Sequence, residues 1–254
     1  SLIEVEGREV IDWRGRLPVR KGAGRYPTRP LEGIDMVVIH YSGVDADSSG
    51  LQIAEYQTTK RTGDLFPECA YTFVVRWDGR IEQCHDLERR TWHAGGRNND
   101  VGVGVCLPGS GWPTEGQMGS ASALIRAICR ELGRSDARLL SARRLVEESE
   151  PRRSAGGSAR PLLVAGHKEL SATPCPGPHW SEWRLELVRP WDTGHEVVLG
   201  FKRVYDYLGE EKCGLPLSPE RYDEHGDSSQ LFERCEMRWN RAENRVWVSL
   251  RTDA

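Results

Sequence analysis

The most informative residues of this sequence are two metal-capable side chains, His167 and Cys175, which lie eight positions apart. Prolines flank Cys175 on both sides, and a second histidine, His40, ends an apolar run far upstream. Two imidazoles and one thiolate can hold a zinc ion with its fourth coordination position free, the arrangement of catalytic zinc sites. Zinc lowers the pKa of a bound water, so these residues predict a zinc hydrolase.

The predicted surroundings of the two histidines favour the metal hypothesis. His40 ends a predicted buried strand at 36–40, and His167 follows another at 161–166. A polar ring in such a place is costly unless it is hydrogen-bonded or metal-bound, and a satisfied core histidine is the ordinary alternative. If the two strands are neighbours, their carboxyl ends bring both rings to one edge of the sheet.

Two further interpretations of Cys175 stay open at this point. It could be a buried structural thiol, the common state of a free cysteine. It could also be the nucleophile of a cysteine hydrolase with a histidine as its base.

The order of predicted elements gives the fold class. Strands alternate with helices, which predicts an α/β protein with a central mixed β-sheet flanked by helices. Besides the two strands above, strands are predicted at 69–77, 80–84 and 101–107, with a hairpin turn at Asp78-Gly79. Gly102 and Gly104 predict that a ligand or another backbone approaches the last of these strands closely. Helices are predicted at 51–61, 119–132, 139–148 and 181–188.

The chain divides into three predicted parts. Residues 1–33 are rich in Pro, Gly and Arg and predict an extended N-terminal segment. Residues 34–190 hold the alternating elements and all the candidate site residues, with a Gly/Ser/Arg loop at 151–160. After a linker at 190–194, residues 195–254 predict a small C-terminal module of strand-like and turn segments.

Composition excludes several classes of partner. The net charge is −3 and no long Lys/Arg run occurs, so no nucleic-acid partner is expected. No apolar run approaches the about 18 residues that span a bilayer, and the start lacks the pattern of a signal peptide. The seven cysteines have no compact repeating spacing, which favours reduced thiols over a disulfide framework.

Four motifs follow one another along the chain: 37–42 around His40, 70–79 around Tyr71, 92–95 around His93, and 166–177 with His167 and Cys175. Together they resemble the type 2 N-acetylmuramoyl-L-alanine amidases, a family that includes phage lysozyme-amidases and peptidoglycan recognition proteins. The resemblance covers about residues 34–188. It implies a central mixed sheet, a zinc ion bound by His40, His167 and Cys175, and cleavage of the amide between N-acetylmuramic acid and L-alanine in peptidoglycan.

The resemblance also implies two catalytic residues. Tyr71 matches the family's tyrosine beside the metal, where a phenol orients water or donates a hydrogen bond to the developing oxyanion; a core strand tyrosine is the alternative. Thr173 stands where some members have a lysine, and it can donate a hydrogen bond but supplies no positive charge. Cys106 stands where other members have a glutamate, and Tyr41 stands where a histidine is common. The proton-transfer partner therefore stays open.

Four residues are candidate substrate contacts. His93 resembles the family's groove residue, which contacts the muramyl peptide, and Trp92 precedes it in the same motif. The alternative for His93 is a loop histidine that bonds the backbone. Asn98 and Asn99 could bind glycan or peptide, although turn chemistry explains asparagines in such a segment equally well.

The C-terminal module carries a second, looser resemblance. Residues 200–209, 213–220 and 230–239 look like a diverged repeat of the Leu-Gly-Phe-Pro type, which accompanies cell-wall enzymes and helps to anchor them. The alternative is an extension that stabilises the main domain.

The sequence as a whole predicts an endolysin-like enzyme of phage or bacterial origin that lyses the cell wall after release or export. A recognition protein that holds muropeptide without cutting it is the alternative. Retention of Cys175 speaks against that alternative, because non-catalytic members of the family commonly lose this ligand.

Overall fold

The structure is a computed structural model that describes residues 1–134, 137–140, 161–188, 197, 199–214, 216, 218, 220–232 and 234–250. The chain divides into two units, Ser1–Val188 and Arg189–Ala254. All the candidate site residues lie in the first unit.

Seven of the described strands of the first unit form one mixed sheet in the order β1-β4-β3-β5-β2-β7-β6. The β3–β4 hairpin is antiparallel, and the other neighbouring pairs are parallel. Helices accompany this sheet, so the predicted α/β class with a central mixed sheet is confirmed. The strands are β1 (Val10–Asp12), β2 (Met36–Tyr41), β3 (Phe73–Val75), β4 (Ile81–Gln83), β5 (Gly102–Leu107), β6 (Ala137–Leu139) and β7 (Leu162–Gly166).

The central strands β2, β5 and β7 are buried along almost their whole length. They read as continuous apolar runs because a parallel strand covered on both faces needs apolar side chains on both. Successive side chains alternate between the faces, so His40 shares a face with Met36 and Val38. On this face those two pack with residues of β7 and a nearby loop, namely Leu163, Ala165 and Ala94.

Three helices of the first unit, α1, α3 and α4, correspond to predicted helices with shifted ends, and the short helix α2 was not predicted. Helix α1 (Gly50–Glu55) begins at a capping box formed by Ser49 and continues as a π-helix over Tyr56–Lys60. Short α2 (Asn98–Val101) directly precedes β5, and α3 (Glu115–Glu131) begins at a capping box formed by Thr114. Helix α4 spans Trp180–Val188. The predicted starts of α1 and α3 were late because capping residues, rather than the first apolar residue, set the helix ends.

Two predictions for the first unit need correction. Residues 1–33 are more than an extended segment, because they contribute to the sheet and the core of the first unit. Strand β1 pairs in parallel with β4, and Ile3, Val5 and Tyr26 are buried. A half-buried edge strand of three residues carries too little periodicity to be recognised. Leu139 ends strand β6 rather than beginning a helix. The rest of the predicted helix at 141–148, the loop at 151–160 and the linker at 190–194 lie outside the described residues.

The second unit combines helices with a small sheet of its own. Helices α5 (Leu199–Leu208) and α6 (Glu210–Cys213) precede β8 (Arg221–Tyr222), β9 (Ser228–Leu231), β10 (Cys235–Asn240) and β11 (Arg245–Leu250), which form an antiparallel sheet in the order β11-β10-β9-β8. The prediction of strands and turns alone was therefore incomplete. The missed signal was helical spacing of apolar residues at 201, 204, 205 and 208, which pack on Phe232 and Met237.

Two general properties of the described residues bear on the chemistry. None of their helices combines the length and the apolar composition needed to cross a membrane. All seven cysteines are buried free thiols.

Candidate metal centre

The pairing of two strands brings the two candidate histidine ligands together. Strand β2 pairs in parallel with β7, and Ile39 lies opposite Gly166. His40 and His167 are the next residues along each strand direction, and their ring centroids lie 4.7 Å apart. The sequence-based condition that these strands be neighbours is thus confirmed.

The loop after His167 returns Cys175 to the same place. The Lys168 backbone N–H donates to the Cys175 carbonyl at 2.6 Å, and the Lys168 ammonium donates to the Gly177 carbonyl at 2.8 Å. The Cys175 N–H donates to the Thr173 hydroxyl oxygen at 3.3 Å. Thr173 therefore acts on the conformation of the loop that carries the thiol.

The donor atoms of His40, His167 and Cys175 form one cluster, all lying within 4.8 Å of one another. His40 Nδ1 lies 3.5 Å from Cys175 Sγ. In a tetrahedral zinc site, bond lengths of about 2.0–2.1 Å to nitrogen and 2.3 Å to sulfur place two such donors about 3.6 Å apart. The three residues therefore fit a metal ion of this kind.

Burial sets the protonation of the cluster. His40 is 1% exposed, and burial with the neighbouring His93 and His167 holds its pKa well below the ordinary value. Burial also lowers the pKa of His167. Both rings are thus neutral, the form that binds metals.

The pKa of the Cys175 thiol is raised, whereas the pKa of a reactive cysteine is usually lowered. Burial raises its pKa to about 11, against the opposing effects of the Tyr41 backbone N–H and the Lys168 charge. The thiol therefore stays protonated at neutral pH unless a cation stabilises the thiolate.

Tyr71 lies beside the cluster, just before β3. Its ring centroid is 5.0 Å from that of His40, and the side chain is only partly buried. Burial, with Cys106 and Cys175 nearby, raises the phenol pKa well above its usual range. The phenol keeps its proton, and within the described part of the chain its hydroxyl has no hydrogen-bond partner. It is therefore available as a donor.

Cys106 lies opposite His40 in the pairing of β2 with β5. Its side chain is fully buried beside Val74, and burial raises the pKa of its thiol. Nothing in this setting lets it take the proton-carrying role of a glutamate.

His93 lies behind His40 rather than in an open groove. Its side chain is 7% exposed, with Nδ1 3.0 Å from His40 Nε2 and Nε2 3.2 Å from the Gly102 carbonyl oxygen. Burial lowers its pKa to about 3, so the ring is neutral. This placement favours the alternative of a backbone-bonded histidine over the predicted substrate contact, because the ring is covered by protein.

Asn99 is likewise engaged by the backbone. Its Oδ1 accepts the N–H groups of His93, Ala94 and Gly95 at 3.0, 2.8 and 3.1 Å. Its side chain is 6% exposed, so the geometry favours turn chemistry over substrate binding.

Trp92 and Asn98 keep accessible surface. Trp92 is 45% exposed and meets Tyr26 edge-on with ring centroids 5.4 Å apart. Asn98 begins α2 and is partly exposed. Their substrate-binding role stays a prediction.

Sequence reasoning missed two residues of the site region. Lys168 directly follows His167, and that adjacency was a usable signal. Trp112 is 58% exposed and borders a small cavity together with His40 and Tyr41. Its ring meets that of His179 edge-on at 4.9 Å. An isolated tryptophan in a Pro/Gly-rich stretch gave no sequence signal of this position.

The family model described as N-acetylmuramoyl-L-alanine amidase matches residues 28–178. A comparison with curated proteins found no match.

Solved structures of low sequence identity are similar to part of this chain. An endolysin N-acetylmuramoyl-L-alanine amidase from Clostridium intestinale URNW is 19% identical, with a TM-score of 0.46 over 70% of this chain and 95% of that one. The endolysin of the Thermus scotoductus bacteriophage Ph2119 is 18% identical, with a TM-score of 0.48 over 71% and 100%. Drosophila PGRP-LB is 19% identical, with a TM-score of 0.45 over 67% and 88%.

Proposed function

Because this chain belongs to the N-acetylmuramoyl-L-alanine amidase family, we propose that it uses zinc to hydrolyse the amide between N-acetylmuramic acid and L-alanine in peptidoglycan. The observation that carries the proposal is the convergence of His40, His167 and Cys175 within 4.8 Å. The substrate is then the muropeptide of the cell wall. The biological role is endolysin-like lysis by a phage or bacterial enzyme that reaches the wall after release or export.

The proposed mechanism divides the work between the metal ligands and two neighbours. A bound zinc ion supplies polarisation of the substrate carbonyl and acidification of water. His40 and His167 contribute neutral imidazoles, and Cys175 contributes its sulfur. The Tyr71 phenol keeps its proton and donates a hydrogen bond to the carbonyl oxygen as negative charge develops there. Thr173 holds the Cys175 backbone in place.

The cysteine-hydrolase alternative has weaker support. A nucleophilic cysteine needs a substantial thiolate fraction, usually from a lowered pKa. Burial instead raises the pKa of Cys175 to about 11. A thiol in such surroundings suits a metal ligand better than a nucleophile.

The decisive experiment combines metal content with product analysis on the purified full chain. We expect stoichiometric zinc, loss of hydrolysis with a chelator, restoration by added zinc, and a new amino-terminal alanine in digested peptidoglycan. Cys175→Ser should lose zinc and hydrolysis together. Cys129→Ser, which changes a buried thiol in α3, is the matched control and should keep both.

Each other outcome rejects a different part of the proposal. Absence of zinc would refute the metal site. Hydrolysis that resists chelator but disappears in Cys175→Ser would identify a cysteine nucleophile. Zinc with peptidoglycan binding but no new amino terminus would identify a recognition protein.

For the second unit we propose a wall-binding role. It exposes the aromatic side chains of Tyr207, Tyr222 and Trp247, with exposed fractions of 88%, 63% and 55%. Aromatic faces of this kind suit contact with polymer chains. In the full chain, Trp247→Ala should reduce cosedimentation with insoluble peptidoglycan and leave cleavage of soluble muropeptide unchanged. Unchanged cosedimentation with a lower unfolding temperature would favour the stabilising role instead.

A further inference from the structure

A continuous hydrogen-bonded path runs from the Gly102 carbonyl through the His93 ring to the His40 ring. We propose that His93 is a positioning residue that fixes the tautomer of His40 and so presents the Nδ1 lone pair of His40 to the metal. This inference rests on the proposed metal site and assigns it a residue that does not itself touch the ion.

The Gly102 carbonyl determines the tautomer of His93. A carbonyl oxygen only accepts hydrogen bonds, so the ring nitrogen 3.2 Å from it, Nε2 of His93, carries the hydrogen. In a neutral imidazole the other nitrogen is then an acceptor. Nδ1 of His93 therefore carries no hydrogen and can accept a hydrogen bond.

The tautomer of His93 determines the tautomer of His40 in the same way. Its Nε2 lies 3.0 Å from the bare Nδ1 of His93, so this Nε2 carries the hydrogen and donates it. His40 Nδ1 then keeps its lone pair, and Nδ1 is the atom that lies 3.5 Å from Cys175 Sγ. One backbone carbonyl thus selects, through two rings, which nitrogen of His40 faces the cluster.

The strand beneath His93 is shaped to seat this ring. A Cβ atom at Gly104 would lie 2.8 Å from His93 Cγ and 3.1 Å from its Nδ1, and one at Gly102 would lie 3.2 Å from its Cε1. A Cβ atom at Gly102 would also lie 2.5 Å from the Asn98 carbonyl oxygen. The predicted close approach is therefore made by another backbone at Gly102, whereas at Gly104 it is made by the His93 side chain rather than by a backbone or a ligand. Asn99 fixes the ring from its backbone side, through the His93 N–H.

The expected consequence is tighter metal binding. Partners that hold the second nitrogen of a ligating histidine are typically worth 10–100-fold in metal affinity or activity. The usual partner is a carboxylate, a carbonyl or water, and in this chain a second histidine relays the effect of a carbonyl.

The first test measures zinc affinity by competition with a chromophoric chelator. His93→Leu should weaken zinc binding about 10–100-fold, while His93→Asn, whose Oδ1 can accept from His40, should lose less. His85→Asn is the matched control, because His85 is another buried histidine bonded to a carbonyl, that of Cys69 at 2.8 Å. It should leave zinc affinity unchanged even if it lowers the unfolding temperature.

Gly104→Ala tests whether the space above Gly104 positions the His93 ring, and it leaves the chemistry of both rings unchanged. It should weaken zinc binding in the native background and have no further effect in the His93→Leu background. Equal effects of Gly104→Ala in the two backgrounds would show that it acts by general destabilisation. They would overturn the role of Gly104 in positioning the His93 ring.

The tautomers themselves can be read by nitrogen-15 NMR of the ring nitrogens in the metal-free and zinc-loaded chain. We expect hydrogen on Nε2 of both His93 and His40 in both states. Hydrogen on Nδ1 of His93, or unchanged zinc affinity in folded His93→Leu, would overturn the inference. Failure of the native chain to bind zinc would instead overturn the proposed metal site, so the two failures are distinguishable.

Discussion

A Cβ atom on Gly177 would lie 2.6 Å from the Cα of Gly111, so the two backbones touch where no side chain fits. Both residues have φ near the left-handed range, at +114° and +109°. The contact joins the loop that carries Cys175 to the loop that carries Trp112. Trp183 strengthens the junction, because its indole N–H donates to the Gly111 carbonyl at 3.1 Å.

Gly177→Ala should therefore damage both stability and metal binding. The added methyl group meets the backbone of Gly111 and also strains a positive φ, which together cost at least about 2 kcal/mol in the free energy of unfolding. Denaturant unfolding and zinc competition measure the two effects. Gly95→Ala is the matched control, since Gly95 has φ +77° but open space around its Cβ position. Equal losses in both variants would assign the effect to strain alone.

Tyr71→Phe should separate catalysis from metal binding. The phenol is a donor that keeps its proton, and removing one donor to a developing oxyanion typically lowers kcat by about 100-fold or more. Zinc affinity should stay at the native value because the ring itself is retained. Steady-state kinetics on muropeptide with zinc content checks this, and a native kcat in the variant would return Tyr71 to a structural role.

Thr173→Val and Thr173→Ser form a matched pair for the ligand loop. Valine keeps the shape but leaves the Cys175 N–H, in a partly buried hydrogen bond, without its acceptor, a loss of about 1 kcal/mol in the free energy of unfolding, whereas serine keeps the hydroxyl. We expect weaker zinc binding in Thr173→Val and near-native binding in Thr173→Ser. A loss of kcat in Thr173→Val with native zinc affinity would instead indicate that the hydroxyl acts on the substrate.

The centre of the fold was predictable because its signals are local and strong. The apolar runs ending at His40 and Gly166 can be little other than buried parallel strands, and their pairing puts His40 beside His167. Proline-bounded Cys175 then has a short path back to them. The convergence of His40, His167 and Cys175 could therefore be predicted from the sequence. That these three residues bind a metal is the proposal made above.

The environment of each polar residue was less predictable, because burial depends on distant parts of the chain. For His93 and Asn99 the sequence left a substrate contact and a structural role equally open, and only the structure places His93 against β5 and gives Asn99 three backbone N–H groups to accept. Strand β1 was hidden for a similar reason, since its partner β4 lies about seventy residues away, with Val10 opposite Ile81. No local pattern in the sequence carries this information.

Variants of Asn99 distinguish its structural role from a substrate-binding role. Asn99→Ala removes the acceptor of three N–H groups in a buried turn, so the free energy of unfolding should fall by about 3 kcal/mol or more. Asn99→Asp keeps an oxygen in the same place and should retain most of that stability. Because Asn99 supports the backbone of His93, the alanine variant should also bind zinc more weakly. A higher KM for muropeptide with native stability and native zinc affinity would contradict this and assign Asn99 to the substrate.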